Sequence, residues 1–217
     1  MDPPLEARIE TARGPAAVTL YRPETTAPGA RNCLLVLTHG SAGGVDAPDL
    51  VATRDMARER GATVAMVTQA YRVAGRRSPG GNTGPQDESW TTVVRQIRAW
   101  PGLGESPLVL AGRSNGARVA CRSAVELGAH AVVALAFPLH PPGKPHRSRD
   151  AELRAAGVPR LVVNGASDPF GIPEPDEETT VIVRRGERHD LARAPREVAT
   201  GVVDWLAERG LVAHVES

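Results

Sequence analysis

The apolar run Leu108-Val109-Leu110-Ala111 breaks at Gly112-Arg113-Ser114-Asn115-Gly116, and a helix-forming stretch, Asn115 to Leu127, begins with no linker between. A strand that passes directly into a helix needs a tight turn, and Gly112 and Gly116 carry no side chain to obstruct one. The same order recurs along the chain. Strand-like runs fall at Val18 to Tyr21, Cys33 to Thr38, Thr63 to Thr68, Pro107 to Ala111, Ala131 to Phe137, Arg160 to Asn164 and Thr179 to Arg184. Helical spacing is read between and after them, at Pro48 to Arg60, Gln86 to Trp100, Asn115 to Leu127, Ser148 to Ala155 and Arg196 to Glu208. Runs such as Cys33 to Thr38 are apolar throughout, which suits strands covered on both faces. The alternation predicts an α/β fold with a doubly wound, mainly parallel sheet.

With 217 residues the chain suits one domain. The reading assigns 1–15, polar and opening on paired prolines, to a loose N-terminal segment and 16–217 to that domain. Pro23 to Ala30 is turn-rich, and Tyr71 to Pro85, rich in Arg, Gly and Pro, reads as a long loop. Aromatic residues make up only 3%, so Val, Leu and Ala must fill the core. A net charge of +1 gives no electrostatic basis for nucleic acid as the main partner. Cys33 and Cys121 lie in apolar surroundings and are expected to be buried free thiols, and no Cys/His cluster has zinc-like spacing. No basic segment followed by an apolar stretch opens the chain, and no run approaches membrane-spanning length. The expectation is a cytoplasmic protein with no membrane partner, no metal and no cofactor.

The turn between strand and helix would lift the Ser114 hydroxyl clear of both elements, and Gly-x-Ser-x-Gly in this setting reads as a nucleophile elbow. A serine hydroxyl attacks well only beside a base, and the base needs an acid to orient it. Asp168 follows the strand ending at Asn164, and His189 follows the last apolar strand, so all three sit on loops at the carboxyl edge of the sheet. Asp190 is a second possible acid, but an adjacent side chain would have to turn back awkwardly onto its neighbour's ring. His39, His140 and His146 are less well placed as bases. The loop His39-Gly40-Ser41-Ala42-Gly43-Gly44 could supply one amide of an oxyanion hole, from Ser41 or alternatively Ala42, with the Asn115 amide as the other. That loop lacks the Lys-[Ser/Thr] ending of a phosphate-binding P-loop.

These pieces resemble the α/β-hydrolase superfamily, and more narrowly the small KANL3/Tex30-like alpha/beta-hydrolase family, with dienelactone hydrolases as broader relatives. The resemblance is carried by Thr38-His39-Gly40 with Gly43-Gly44, by the elbow with Arg118-Val119-Ala120, and by Phe137-Pro138-Leu139-His140-Pro141-Pro142-Gly143-Lys144-Pro145. Gly165-Ala166-Ser167-Asp168-Pro169-Phe170-Gly171 and Arg188-His189-Asp190-Leu191 complete it, so the blocks run from about residue 34 to 206. It implies a minimal hydrolase without a large lid domain, with Ser114, Asp168 and His189 as nucleophile, acid and base. Two features depart from the family pattern. Asn115 stands where methionine is usual, and Glu187-Arg188-His189 replaces a loop richer in glycine and aspartate.

The expected activity is hydrolysis of a small carboxylic ester through an acyl-serine intermediate. Its partners would be a small acyl substrate and water. A thioesterase or a lactone or dienelactone hydrolase is the enzymatic alternative, and a non-catalytic hydrolase-like interaction module the other. Ala42, Tyr71, Arg77 and His140 are the candidate substrate contacts. Arg76 and Arg77 raise the question of a site for an anionic group. The prolines at 138, 141, 142 and 145 would make a stiff wall.

Overall fold

The computed structural model describes residues 3–24 and 33–214, so most of the turn-rich stretch expected after Pro23 lies outside the described residues. Among them one sheet contains β1 (Leu5–Ile9), β2 (Ala16–Tyr21), β3 (Leu34–Thr38), β4 (Thr63–Thr68), β5 (Leu108–Arg113), β6 (Ala131–Leu135), β7 (Arg160–Gly165) and β8 (Thr179–Arg184). The order across it is β1-β2-β4-β3-β5-β6-β7-β8. The pairs β1/β2 and β2/β4 are antiparallel, and every pair from β4 to β8 is parallel. The helices are α1 (Pro48–Glu59), α2 (Ala70–Val73), α3 (Gly84–Arg98), α4 (Asn115–Leu127), α5 (Asp150–Arg154) and α6 (Pro195–Glu208).

The inner strands are buried along their whole length because both faces are covered. Successive side chains point to opposite faces, so Leu34, Val36, Leu108, Leu110, Val132 and Ala134 join one core. That core includes Trp90, Val94 and Ile97 of α3, Val119 and Ala124 of α4, and Leu153 of α5. Leu35, Leu37, Val109, Ala111, Val133 and Leu135 join the other, against Leu50 and Ala57 of α1 and Val202 and Leu206 of α6. Cys33 and Cys121 fall in opposite cores as free, buried thiols, and burial pushes each up to about 12. Thiols held in that form are inert.

This winding places the site. The chain leaves β3 through α1 to β4 on one side, and leaves β5 through α4 to β6 on the other. The strand order therefore reverses between β3 and β5, and the loops after those strands part to leave a crevice. The connection from β6 to β7 contains only the five-residue α5, so the fold is a minimal one without a large lid.

Two expectations are corrected. The N-terminal segment is not loose: Leu5–Ile9 pairs with β2 as the edge strand. Only Ile9 of these residues is buried, so the strand's alternation is too faint to read. The region from Tyr71 to Pro85 is not all loop either. It opens inside the single turn of α2 and closes inside α3, whose first turn holds Pro85 where no backbone donor is needed.

Candidate active site

Ser114 joins β5 to α4 with φ 53° and ψ −112°, a conformation that L residues rarely adopt. It is held there by its own amide, which donates to the Leu135 carbonyl at 2.8 Å. Two further non-glycine residues with positive φ lie at neighbouring loops: Ala136 (φ 47°) just past β6, and Leu191 (φ 48°) two residues past His189. The Ala136 amide is likewise tied, to Val163 at 2.8 Å. Such strain persists only where surrounding bonds over-determine it.

The three loop residues meet. Ser114 Oγ lies 2.9 Å from His189 Nε2, and His189 Nδ1 lies 2.9 Å from Asp168 Oδ2. With Nδ1–H donating to the carboxylate, Nε2 is left to accept from the serine hydroxyl. The Asp168 side chain is fully buried, whereas that of His189 is 21% exposed. Asp168 Oδ1 accepts from the Phe170 amide at 2.9 Å, and Oδ2 also lies 3.3 Å from Asn164 Nδ2. The Phe170 ring packs on the His189 ring with centroids 4.2 Å apart.

The loop after β3 presents backbone donors to the same place. Its Gly40 lies so near Ser114 that an added Cβ would sit 3.3 Å from the serine Cβ. The Gly40 carbonyl accepts from His39 Nδ1 at 2.8 Å and from the Gly43 amide at 3.3 Å. A peptide is planar, so fixing that carbonyl fixes the Ser41 N–H, which points the opposite way. Tyr71 Oη donates to the Ser41 carbonyl at 3.1 Å and thereby fixes the Ala42 N–H in turn. Among the described residues, the N–H groups of Ser41, Ala42 and Asn115 have no protein acceptor. All three residues line an open cleft of about 320 Å³ together with Ser114 and His189.

A model of the alpha/beta hydrolase domain matches residues 31–199. The chain belongs to the alpha/beta-hydrolase family. No curated protein matches the sequence. Solved structures share the fold at low identity. XC6422 from Xanthomonas campestris, described as a serine hydrolase without a lid, is 18% identical with a TM-score of 0.73, covering 100% of this chain and 98% of that one. The dienelactone hydrolase from Anabaena variabilis is 16% identical with a TM-score of 0.73, covering 95% of this chain and 99% of that one. Est1E from Butyrivibrio proteoclasticus is 15% identical with a TM-score of 0.70, covering 94% and 98%.

The other sequence candidates in this alpha/beta-hydrolase domain separate. Ala42 lines the cleft. Tyr71 does not; it stands behind the loop it holds, and burial pushes its hydroxyl up to about 12, so it remains a donor. Arg77 is exposed and lines neither this cleft nor the small apolar crevice between Tyr71 and Trp90, which Arg76 does reach. His140 is turned to the Pro141 carbonyl, with Nδ1 3.0 Å away, and packs against Gly171. These three expectations are therefore corrected: loop proximity in sequence did not translate into a place on the cleft. His39 is buried and neutral, held below its ordinary value first by desolvation, with Nε2 accepting from the Gln69 amide at 3.0 Å.

Both departures from the family pattern have structural counterparts. Asn115 is buried at the cleft, with its side chain beside the Tyr71 hydroxyl. Glu187 is 1% exposed, and its carboxylate accepts from the amides of Ala194 at 2.6 Å and Arg193 at 3.2 Å. It clamps the loop carrying His189 to the start of α6, work that a glycine could not do.

A charged pair that the sequence did not disclose stands beside Ser114, half-buried on the arginine side and buried on the carboxyl side. Arg113 Nε lies 3.3 Å from Asp49 Oδ2, and Arg113 Nη2 donates to the His189 carbonyl at 3.2 Å. Asp49 is wholly buried, and desolvation outweighs Arg113 to push its carboxyl from 3.8 up to about 6. A raised carboxyl favours folding in its neutral form, a contribution fully present below 3.8 and lost as pH rises through about 6. Asp49→Asn stays neutral at every pH. Urea denaturation at stepped pH is expected to show the variant gaining on the parent by up to about 3 kcal/mol between about pH 4 and pH 7. A difference that stays flat across that window would show that Asp49 is not held neutral by burial.

Proposed function

We propose that this protein is a serine hydrolase that cleaves small carboxylic esters through an acyl-Ser114 intermediate. The observation that carries this reading is the unbroken hydrogen-bond line Ser114–His189–Asp168 opening on a cleft that also presents unpaired backbone amides. In this mechanism His189 Nε2 takes the Ser114 proton as Oγ attacks the ester carbonyl carbon. Asp168 keeps the other ring proton on Nδ1 and stabilises the imidazolium. The Asn115 amide and the Ser41 amide, or that of Ala42 beside it, receive the oxyanion. Donors fixed in advance stabilise that charge without reorganising. The imidazolium then protonates the leaving alkoxide. Water, deprotonated by the same histidine, attacks the acyl-serine carbonyl and releases the acid.

Likeness to structures named as esterases and as a dienelactone hydrolase supports this class of reaction. The motif blocks from Thr38 to Leu191 support a finer placement near KANL3/Tex30-like members. A panel of short esters, thioesters and lactones, run on the parent and on Ser114→Ala, tests the assignment. Loss of at least about 10³-fold in kcat/KM for the preferred class is expected, with labelling by a fluorophosphonate in the parent only. Undiminished turnover in a folded Ser114→Ala protein would remove the serine from the reaction. Absence of both turnover and labelling in the parent would favour a non-catalytic interaction module.

A further inference from the structure

Three arginines, Arg113, Arg118 and Arg149, are among the residues that line the cleft beside Ser114, and no Asp or Glu is. Two of the three have a carboxyl group behind them, and that of Asp49 carries its charge once pH exceeds about 6. Arg113 faces the buried Asp49. Arg118 forms a fork on Glu152 at 2.7 and 2.8 Å. Glu152 also accepts from Arg122 at 3.0 Å, but Arg122 is matched in turn by Asp87 at 2.6 and 2.9 Å. Arg118 and Arg122 are thus balanced by Asp87 and Glu152. Arg149 is the cation left over: among the described residues no carboxylate stands within 4.0 Å of its guanidinium.

Arg149 is also held in place. Its Nη1 donates to the Pro138 carbonyl at 2.9 Å, and its own amide donates to Leu139 at 2.6 Å, which fastens it to the proline-rich wall. It is half-buried, and desolvation first, then the neighbouring Arg118, work against its charge, with the more distant Glu152 offsetting only part of this. A guanidinium does not relieve that cost by losing its proton. An anion arriving in the cleft would relieve it.

We infer that the substrate ester carries a carboxylate in addition to its reacting carbonyl, and that Arg149 binds it. The inference rests on Ser114 being the nucleophile. It answers the question raised by Arg76 and Arg77 with a different arginine, since neither of those two lines the Ser114 cleft. The uncommitted N–H groups of Arg149 offer charge-assisted hydrogen bonds, the stronger kind, and a fork that matches a carboxylate. Arg113 and Arg118, each with a carboxyl group behind it, add a polar lining without competing for the anion.

Two matched pairs of esters test this. The first is 4-nitrophenyl hydrogen adipate against 4-nitrophenyl methyl adipate, with the carboxylate on the acyl side. The second is 4-acetoxybenzoate against methyl 4-acetoxybenzoate, with it on the leaving group. In the parent, kcat/KM for the acid is expected to exceed that for its methyl ester by about tenfold or more in at least one pair, and rising salt should shrink the ratio. In Arg149→Gln the ratio should fall to about one, while Arg149→Lys, which keeps the charge and loses the fork, should retain part of it. Ser114-dependent cleavage with a ratio near one in both pairs, or a ratio that survives Arg149→Gln, would overturn the inference and leave the esterase reading standing. No Ser114-dependent cleavage of any of the four, with no fluorophosphonate labelling, would overturn both.

Discussion

Asp168→Asn is expected to lower kcat/KM for a small ester by about 10⁴-fold without unfolding the protein. The size follows from the donors around the carboxylate. Asp168 Oδ1 accepts the Phe170 amide at 2.9 Å, while Oδ2 receives His189 Nδ1 at 2.9 Å and lies 3.3 Å from Asn164 Nδ2. Asparagine has one oxygen for these two positions. If the oxygen stays on Phe170, the amide NH₂ faces His189 Nδ1 and forces the ring proton to Nε2. The ring then presents a donor to Ser114 and cannot accept its proton. If the oxygen turns to His189 instead, the NH₂ confronts the Phe170 N–H, and a buried donor pair is left facing itself. The first arrangement disables the base, and the second weakens the turn that carries residue 168. Steady-state kinetics with fluorophosphonate labelling checks the result. Activity within tenfold of the parent would show that the carboxylate does not orient His189.

The location of the site was legible because it depends on chain order. Three strand-end loops carry Ser114, Asp168 and His189, and parallel winding brings all such loops to one edge. What the sequence hid are contacts between side chains distant along the chain. Asp49 reads as an ordinary first-turn acid of α1, yet α1 sets it beneath Arg113. Asn164 reads as the end of a strand, yet its side chain joins Phe137, Asp168 and Gly171, with Oδ1 accepting the Phe137 amide at 2.9 Å and Nδ2 lying 3.0 Å from the Gly171 carbonyl. Arg149 reads as one more arginine among many. Its character comes from the pairing of its neighbours, which no local pattern encodes. The polar edge strand was missed for a related reason: most of its pairing is backbone to backbone, so its side chains carry little signal.

Gly112→Ala is the largest expected loss of stability, more than about 3 kcal/mol by urea denaturation. A Cβ at Gly112 would lie 2.4 Å from the Gly116 carbonyl carbon, 2.5 Å from its oxygen and 2.8 Å from the Ala117 nitrogen. All three are backbone, so no side chain can swing aside. The start of α4 would have to withdraw from β5, and it has no room to do so along β3. There a Cβ on Gly116 would already lie 2.7 Å from the His39 carbonyl and 2.9 Å from that of Thr38. Any withdrawal that did occur would carry Ser114 off His189, so residual folded protein should also lose activity. Gly128→Ala supplies the contrast. Gly128 ends α4 with φ 62°, and an added Cβ would meet nothing within 4 Å. Only the cost of the left-handed backbone remains there, about 1–2 kcal/mol. Equal losses in the two variants would mean that the turn tolerates movement, and that glycine at 112 serves backbone conformation and not the close approach of helix to strand.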